Sequence, residues 1–331
     1  MRYRTLGRTG WQVSEISLGT WGMGGMWGPV DDREALRAID RALEVGVNFI
    51  DTALVYGDGH AETLIGKALA KRHDPIYVAT KIPPKNLEWP ARHVPAAEAF
   101  PAKWILKCTH QSLRHLKREC VDLQQFHVWS PRWLIERETW LPTIARLKQE
   151  GKIRAFGVSI NDHEPDTALA LVASGVVDSL QLVYNLFEQA PADALLPLCQ
   201  TYQIGVIGRV PFDEGSLTGH LTAETRFHAD DWRRAYFRGD RLQETLQRVE
   251  RLSALVQGER QTLAQAALKF CLSHPAVSTV IPGMRRVAHV EENCAASNGT
   301  VFSLQLLRRL RAHAWSRNFY PFAEEVPTRS F

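Results

Sequence analysis

The chain has 331 residues, 45% of them hydrophobic and 23% charged, which is the composition of an ordinary globular protein with material for a large core. The formal net charge is only +4 and the 40 basic residues are spread along the chain, so a nucleic-acid-binding surface is not indicated. The sequence has no apolar run long enough to cross a membrane and no apolar signal segment after its first residues.

The cysteines predict neither a metal site nor a disulfide framework. Five are present, an odd number, and their spacing follows no metal-ligand pattern. They are Cys108, Cys120, Cys199, Cys271 and Cys294. We expect each to pack as a small hydrophobic residue in a reducing cytoplasm.

Strand-like and helix-like segments alternate through the first half of the chain. In order, the patterns predict a hairpin over 6–11 with its turn at Thr9-Gly10, a strand over 15–18, a helix capped by Asp31-Asp32 and ending at Gly46, a strand over 48–51, a helix over 62–69, a strand over 76–81, a helix over 102–116 and a strand over 121–128. Two loops interrupt them. A glycine-rich loop over 22–29 is expected to let backbone approach a ligand, and a proline-containing loop over 86–101 is expected to be extended.

The second half continues the alternation. It predicts a helix over 140–149, a strand over 153–159, a helix over 166–173, a strand over 179–184, a helix over 194–202, a strand over 205–209, helices over 242–256 and 263–272, a strand over 277–281, and helices over 287–296 and 304–314. A long loop over 211–239 is expected to be either functional or disordered, as long loops without secondary structure in compact domains usually are. Eight strand–helix units with short connections predict one closed (β/α)8 TIM barrel over residues 1–331, with an N-terminal β-hairpin and an extra C-terminal helix and tail.

Four reactive side chains follow three successive predicted strands. Asp51 ends the first strand, Tyr56 lies in the loop after it, Lys81 ends the second and His127 lies near the end of the third. Taken singly, each has a structural explanation as a turn cap, a loop aromatic, a solvated strand end or a buried histidine. Because parallel strands display their carboxyl ends at one edge of a barrel, the four together predict an active site.

In order and context these four residues resemble the catalytic tetrad of the aldo-keto reductases. Further matching motifs are Arg4-Thr5-Leu6-Gly7-Arg8-Thr9-Gly10, Ile16-Ser17-Leu18-Gly19-Thr20-Trp21-Gly22, Gly157-Val158-Ser159, Ile281-Pro282-Gly283 and Glu292-Asn293. The resemblance covers almost the whole chain and implies carbonyl chemistry with a nicotinamide cofactor.

The chemistry of the four groups fits that implication. We expect Tyr56 to donate the proton to a carbonyl oxygen, Lys81 to lower the phenol pKa from about 10, and Asp51 to keep Lys81 charged. His127 donates a hydrogen bond to the substrate oxygen or shares a proton with Tyr56. None of these groups can deliver hydride, so a nicotinamide cofactor must.

The resemblance also implies which positions contact the cofactor. They are Gly19, Thr20 and Trp21 beside the nicotinamide ribose, Ser159, Asn161 and Gln181 at the carboxamide, Ser216 and Leu217 in the long loop, and Asp51. Two of these segments depart from the family pattern. Ile160 separates Ser159 from Asn161, and Arg209 occupies the position where the family often has an aromatic residue stacked on the nicotinamide. Arg209 either stacks there or turns outward to pair with an acid such as Asp213 or Glu214.

The segment after the last barrel strand bears on the choice between NADPH and NADH. Many family members hold the 2′-phosphate with a lysine and a later arginine, where this chain has Gly283 and His289. Arg285 and Arg286 are then the cations available for a phosphate at a helix start, unless both are simply solvated. Glu292 and Asn293 match the adenine-contacting pair of the family. The preferred cofactor is therefore expected to be NADPH.

Three functions remain open on the sequence alone. The leading one is an NADPH-dependent reductase of aldehydes or ketones, with a small carbonyl substrate received at an apolar rim around Trp27, Trp129, Trp133 and the aromatic tail. A cofactor-binding regulatory subunit of a membrane complex is the second, and a lyase that forms a Schiff base on Lys81 is the third. The oligomeric state stays open.

Overall fold

The N-terminal residues form a two-stranded antiparallel hairpin at one end of the molecule. In the computed structural model, which describes residues 1–70, 72, 74–89, 94–256 and 261–320, strand β1 (Tyr3–Thr5) pairs with β2 (Gln12–Ser14). The predicted hairpin over 6–11 is wrong in its bounds. Those residues form the connection, which makes a 3-10 turn over Gly7–Thr9 and ends at Gly10 with a φ of 73°.

Eight parallel strands run side by side in chain order at the centre of the fold. They are β3 (Leu18–Gly19), β4 (Phe49–Asp51), β5 (Tyr77–Ile82), β6 (Val121–Phe126), β7 (Ile153–Ser159), β8 (Ser179–Val183), β9 (Gly205–Arg209) and β10 (Val277–Val280). The first and last strands meet through parallel bridges from Ile16 to Val280 and from Gly19 to Gly283. Ser17 N–H donates to the Val280 carbonyl at 2.9 Å. The sheet is thereby closed, and the predicted (β/α)8 barrel is confirmed.

Helices cover the outside of the sheet and follow the strands in sequence. They are α1 (Asp32–Glu44), α2 (His60–Leu69), α3 (Ala96–Ala99), α4 (Ala102–Leu116), α5 (Arg132–Ile135), α6 (Leu141–Gln149), α7 (Leu169–Ser174), α8 (Leu195–Thr201), α9 (Arg233–Tyr236), α10 (Arg241–Val256), α11 (Leu263–Leu272), α12 (Val287–Cys294) and α13 (Leu304–Arg311). Asp31 caps α1 as predicted, since its carboxylate accepts from the backbone N–H groups of Arg33 and Glu34. The helices α4 and α11 have the predicted bounds.

Several predicted boundaries are wrong for local reasons. The first barrel strand covers only Leu18–Gly19, because Ile16 joins the sheet through a single bridge. Pro165 begins a 3-10 turn over Pro165–Ala168, so the α-helix predicted over 166–173 starts only at Leu169. The loop predicted to be extended over 86–101 contains α3, and its residues 90–93 lie outside the described part of the chain. Tail residues 321–331, including Pro321 and Phe322, also lie outside it.

The barrel interior and the barrel surface have separate apolar cores. Phe49, Ala79, Leu123, Ala155 and Ile207 point inward from five strands and pack on Leu6 and Val13 of the hairpin segment. The hairpin therefore fills the N-terminal end of the barrel. Within the described residues, no helix combines the length and apolarity needed to cross a membrane, and the five cysteines are free thiols.

Candidate active site

The alternation of side chains along each strand positions the site. Successive residues of a strand face opposite sides, so the residue two positions beyond an inward-facing apolar residue also points inward, one layer nearer the carboxyl end. Two positions beyond Phe49, Ala79, Leu123 and Ile207 stand Asp51, Lys81, Gln125 and Arg209. A polar layer therefore lies directly above an apolar one, at the end of the barrel opposite the hairpin.

Lys81 is the centre of this layer. Its ammonium group donates to Asp51 Oδ1 at 2.6 Å, to the Thr52 carbonyl at 2.8 Å and to the Tyr56 hydroxyl oxygen at 3.3 Å. Lys81 is fully buried and Asp51 is 2% exposed. Burial alone would lower the pKa of Lys81, but Asp51 and Tyr56 outweigh it and raise that pKa. The lysine is therefore held as a cation between the carboxylate and the phenol, as predicted for this pair.

The second oxygen of Asp51 is held by two amides. Gln181 Nε2 donates to Asp51 Oδ2 at 2.7 Å, and Gln125 Nε2 donates to the same oxygen at 3.4 Å. Gln125 was not among the predicted site residues. The sequence does contain a signal for it. Gln125 is a polar residue at an inward-facing position, midway between Leu123 and His127, and every residue of its strand is buried.

Tyr56 lies at the mouth of the barrel, in the turn after β4. Burial raises the pKa of its hydroxyl, while the charge of Lys81 lowers it. The net direction is upward because desolvation prevails, and the predicted lowering by Lys81 is present as a smaller, opposing effect. Gly24 of the glycine-rich loop packs against the turn, and a Cβ on Gly24 would come within 2.7 Å of the Tyr56 carbonyl carbon. The glycine therefore allows that loop to approach the backbone of Tyr56.

His127 stands beside Tyr56 with its ring edge-on. The two ring centroids are 5.8 Å apart, and Trp89 flanks the other side of the imidazole at 5.7 Å. Burial and the charges of Lys81 and Arg209 lower the pKa of His127 well below its usual value, so the ring is neutral. His127 Nδ1 is buried without a hydrogen-bond partner among the described residues. The ring is thus available to a ligand beside the Tyr56 hydroxyl.

Of the three residues predicted to contact the nicotinamide carboxamide, two lie together and the third lies elsewhere. The Ser159 hydroxyl donates to Gln181 Oε1 at 3.3 Å, so these two buried residues are brought together next to Asp51. Asn161 is held elsewhere, because its Oδ1 accepts from Trp129 N–H at 3.2 Å and its Nδ2 donates to Glu164 at 2.9 Å. This amide is therefore bound between the segment after β6 and its own loop after β7.

Gly19, Thr20 and Trp21 line the same end of the barrel. Gly19 pairs with Asp51 across β3 and β4, and the Thr20 hydroxyl donates to the Asp51 carbonyl at 3.0 Å. The Trp21 ring lies 6.5 Å from the Tyr56 ring, centroid to centroid. These three residues therefore border the tetrad.

Arg209 is held at the edge of the site by the end of β7. Its Nη2 donates to the Ile160 carbonyl at 2.9 Å and to Asp162 Oδ1 at 2.5 Å. Arg209 thus forms an ion pair, but its acid is Asp162 and not Asp213 or Glu214, which bind Arg317 and Tyr320. Burial would lower the pKa of Arg209, but Asp162 raises it, and the guanidinium Nε is buried without a partner among the described residues.

Ser216 and Leu217 are buried in a tight loop after β9. The loop makes a 3-10 turn over Asp213–Thr218 that is interrupted at Glu214 and Gly215, with φ values of 55° and 97°. The Ser216 hydroxyl donates to Asp213 Oδ2 at 2.7 Å. The loop that sequence alone left without secondary structure is thus ordered.

Positive charge collects between β10 and α12. Arg285 Nη1 donates to the Trp27 carbonyl at 3.1 Å, and Arg286, the residue that precedes α12, lies 3.8 Å from Glu34. Burial lowers the pKa of Arg285, and the charges of Arg286 and Arg233 lower it further. A Cβ on Gly283 would meet no atom within 4 Å. Crowded cations beside open space fit an anionic group such as a cofactor phosphate.

Glu292 and Asn293, the predicted adenine contacts, lie near the end of α12. The Glu292 carbonyl accepts from Gln265 Nε2 at 3.1 Å, and Asn293 is buried. His289 lies near Arg285 and Arg286, whose charges lower its pKa in addition to the larger effect of burial.

The aromatic rim differs from the predicted one. Trp129 and Trp133 are buried and pack edge-on against each other, so they belong to the core. Trp27, also predicted, is partly exposed at the mouth, where it lies with Trp21 and Trp232; the Trp21 ring is 6.1 Å from Trp27 and 5.4 Å from Trp232. The presence of large aromatic residues in a sequence does not distinguish the rim of a pocket from the core, because such residues occur in both.

Comparisons with known proteins agree with this geometry. The model of the aldo/keto reductase family matches residues 15–314. Aldo-keto reductase YhdN from Bacillus subtilis is 32% identical over 301 residues, covering 88% of this chain and 87% of the relative. A probable voltage-gated potassium channel subunit beta from Oryza sativa is 30% identical, over 89% of this chain and 91% of its own. The NADH-specific methylglyoxal reductase of Escherichia coli is 27% identical, over 90% and 94%.

A solved structure of known fold superposes on this chain. Aldo-keto reductase AKR11C1 from Bacillus halodurans, in its holo form, superposes with a TM-score of 0.74 at 25% identity, covering 95% of this chain and 96% of that one. The family match extends over nearly the whole barrel and includes the strands that carry the four clustered residues. The chain belongs to the aldo/keto reductase family, and so to a family of carbonyl oxidoreductases that use a nicotinamide cofactor.

Proposed function

We propose that this protein reduces aldehyde or ketone carbonyls to alcohols with NADPH, using Tyr56 as the proton donor. The observation that carries the proposal is the position of the Lys81 ammonium between Asp51 Oδ1, at 2.6 Å, and the Tyr56 hydroxyl, at 3.3 Å. A carbonyl that accepts hydride becomes alkoxide-like, so its oxygen needs a proton and positive potential at the same point. The phenol and the ammonium supply the two together.

Each residue has a separate task in this proposal. The nicotinamide supplies the hydride when bound. Tyr56 gives its hydroxyl proton to the substrate oxygen, and Lys81 stabilises the phenolate that remains. Asp51, held by Gln181 and Gln125, keeps Lys81 charged and fixed. Neutral His127 orients the carbonyl oxygen through a hydrogen bond.

The preference for NADPH rests on the cations around Arg285. Arg285 and Arg286 lie near each other, and among the described residues their one salt bridge is the 3.8 Å contact of Arg286 with Glu34. A 2′-phosphate can accept paired hydrogen bonds from a guanidinium group. One relative is an NADH-specific enzyme, so the choice of cofactor varies among similar chains and has to be measured here.

The direct test is cofactor oxidation by the purified chain and by Tyr56→Phe. We expect the parent to oxidise NADPH in the presence of a simple aldehyde, and the variant to lose roughly two or more powers of ten in kcat, as loss of a general acid predicts. Cofactor affinity, measured by fluorescence titration, should be unchanged in the variant because the hydroxyl does not hold the cofactor. Turnover by Tyr56→Phe at the parent rate would refute the proton-donor assignment.

A second candidate is a regulatory subunit that binds the cofactor with little turnover. The relative described as a potassium channel subunit beta makes this a specific alternative, because it matches the chain over most of its length. Absence of turnover across a panel of aldehydes and ketones, together with tight NADPH binding, would favour this alternative over the reductase.

The lyase alternative is disfavoured by the state of Lys81. A Schiff base requires a neutral amine, and this amine is held as a cation by three acceptors. Borohydride trapping of a carbonyl substrate on Lys81 would instead support the lyase alternative. We place the enzyme in the cytoplasm, where a reducing environment keeps cysteines as the free thiols found here.

A further inference from the structure

The last described residues of the chain lie across the loop that follows β9. We call residues 313–320 the clamp segment and residues 213–219 the β9 loop. Arg317 Nη2 donates to Asp213 Oδ1 at 2.5 Å, and both side chains are almost fully buried. The Tyr320 hydroxyl donates to Glu214 Oε1 at 2.7 Å. Two neighbouring acids of the loop are thus bound by two residues about a hundred positions later in the chain.

The clamp segment is itself anchored to the barrel. Trp315 N–H donates to the Phe187 carbonyl at 2.9 Å, and the two rings meet edge-on at 5.5 Å. The Arg317 guanidinium lies 4.1 Å from the Trp315 ring and 5.0 Å from the Phe187 ring. Arg317 is therefore packed against the segment after β8 as well as bonded to the β9 loop.

A third segment joins the other two at Tyr320. The Tyr320 ring stacks on Trp232 with centroids 5.4 Å apart and an interplanar angle of 6°. Next to Trp232, Asp231 forms an antiparallel bridge with Trp27, and the Arg233 guanidinium lies 4.3 Å from the Trp27 ring. The glycine-rich loop, the segment around Trp232 and the clamp segment therefore meet over the β9 loop.

The β9 loop needs such support to stay closed. Asp213 and Glu214 have φ values of 45° and 55°, a left-handed conformation that non-glycine residues seldom adopt. Both carboxyl groups are 2% exposed, and Glu214 Oε2 has no partner among the described residues. An open loop would relieve the backbone strain and hydrate both acids. The bonds from Arg317 and Tyr320 therefore stabilise the closed form, and Asp213 accepts two further hydrogen bonds, from Ser216 and Tyr236.

We propose that Arg317 and Tyr320 are positioning residues that hold the β9 loop closed, and that breaking their bonds to Asp213 and Glu214 sets the rate at which the cofactor leaves. The claim about the rate of cofactor release rests on the proposed function, in which Ser216 and Leu217 of this loop contact the cofactor. The closure itself concerns only residues of this chain.

The first experiment measures NADPH release from Tyr320→Phe by stopped-flow fluorescence. The variant keeps the ring that stacks on Trp232 and loses only the hydroxyl that binds Glu214. We expect release about five- to twenty-fold faster than from the parent, the change that loss of one buried hydrogen bond produces. Arg317→Lys, which keeps the charge, should change release in the same direction. The matched control is Tyr202→Phe at a residue that is 42% exposed, and its release rate should equal that of the parent.

The second experiment follows amide hydrogen exchange of the loop without cofactor. Gly215 N–H and Leu217 N–H both donate to the Phe212 carbonyl, so their exchange reports loop opening. We expect faster exchange there in Tyr320→Phe, with unchanged exchange in the barrel strands. If the parent binds no NADPH, the proposed function is refuted. The closure of the β9 loop by the clamp segment is then decided by hydrogen exchange alone. Equal exchange of loop amides in parent and variant overturns the clamp, as does an unchanged release rate in a chain that binds NADPH.

Discussion

Two buried groups of charged residues lie at the carboxyl end of the barrel, and they are built differently. Lys81 and Asp51 stand at the ends of adjacent strands, and each polar atom of the pair has a partner within the barrel. Asp213 and Glu214 stand in a loop with left-handed backbone, and each takes a partner from the C-terminal segment, while Asp213 also accepts hydrogen bonds from Ser216 and Tyr236. Arg317 Nε and Glu214 Oε2 are buried there without partners among the described residues.

The difference predicts a division of labour. Strand ends are held by the whole sheet, so groups placed on them keep the fixed geometry that proton transfer requires. A loop held by a few side chains opens at a much lower free-energy cost, as a ligand that must enter and leave requires. Changes in the strand-end group should therefore alter chemistry with little effect on binding, and changes in the loop group should alter binding with little effect on chemistry.

The largest expected effect is from Lys81→Met and Asp51→Asn. Each variant should lose at least about a hundredfold in kcat, because each removes one half of a buried ion pair that tunes Tyr56. The double variant should lose little more than either single one, since the pair acts as a unit. Steady-state kinetics with NADPH titration as the binding control checks this. Losses that multiply in the double variant would show that Asp51 has a separate role.

The next effect concerns discrimination between NADPH and NADH. Arg285→Ala should weaken NADPH binding about tenfold and leave NADH binding unchanged, because only NADPH carries the 2′-phosphate. Arg286→Ala should have a smaller effect, since Arg286 is the more exposed of the two and partly paired with Glu34. Dissociation constants from fluorescence titration give the answer, with Arg308→Ala on the exposed face of α13 as the matched control.

Two outcomes of that titration would contradict the assignment. Equal affinity of the parent for both cofactors would remove the preference itself. A preference that survives both substitutions would mean that another group binds the phosphate.

A smaller effect is expected at Arg209, which borders both groups. If its guanidinium stacks on the nicotinamide, Arg209→Ala should weaken binding several-fold, and Arg209→Trp should restore it, most of all for the oxidised cofactor, whose ring is positively charged. Asp162→Asn is the control, because it removes the charge partner of Arg209 and leaves the guanidinium in place. Unchanged dissociation constants in both Arg209 variants would leave only the ion pair with Asp162 as the role of this residue.

The difference between strand ends and loops also explains what could be predicted from the sequence. Period-two patterns place Asp51, Lys81 and His127 at strand ends, and a parallel barrel then brings them together whatever the details of packing. Asp162 and the clamp segment obey no such period. Their partners are chosen by the three-dimensional course of loops, so the sequence offered Asp213 or Glu214 for Arg209 when the structure uses Asp162.

The last expected effect concerns stability instead of activity, and it is a change in how stability depends on pH. Burial raises the pKa of Glu214 to about 8, with Asp213 and Asp162 adding to the shift and Tyr320 and Arg233 opposing it. The folded chain therefore holds a proton on Glu214 that the unfolded chain, with an ordinary carboxyl pKa of about 4.3, has lost. Between these two values the folded state binds more protons, so this group makes stability fall as pH rises, by at most about 1.4 kcal/mol per pH unit, and adds no further loss above pH 8.

Glu214→Gln should remove this contribution, because a neutral amide does not titrate. We expect the variant to lose less free energy of unfolding than the parent between about pH 5 and pH 8. Urea denaturation at several pH values measures the two slopes, with Glu250→Gln on the exposed face of α10 as the control. Parallel slopes for the parent and Glu214→Gln would mean that the carboxyl group is ionised in the folded loop. In that case the charge of Arg317 would have to compensate both acids of the β9 loop instead of Asp213 alone.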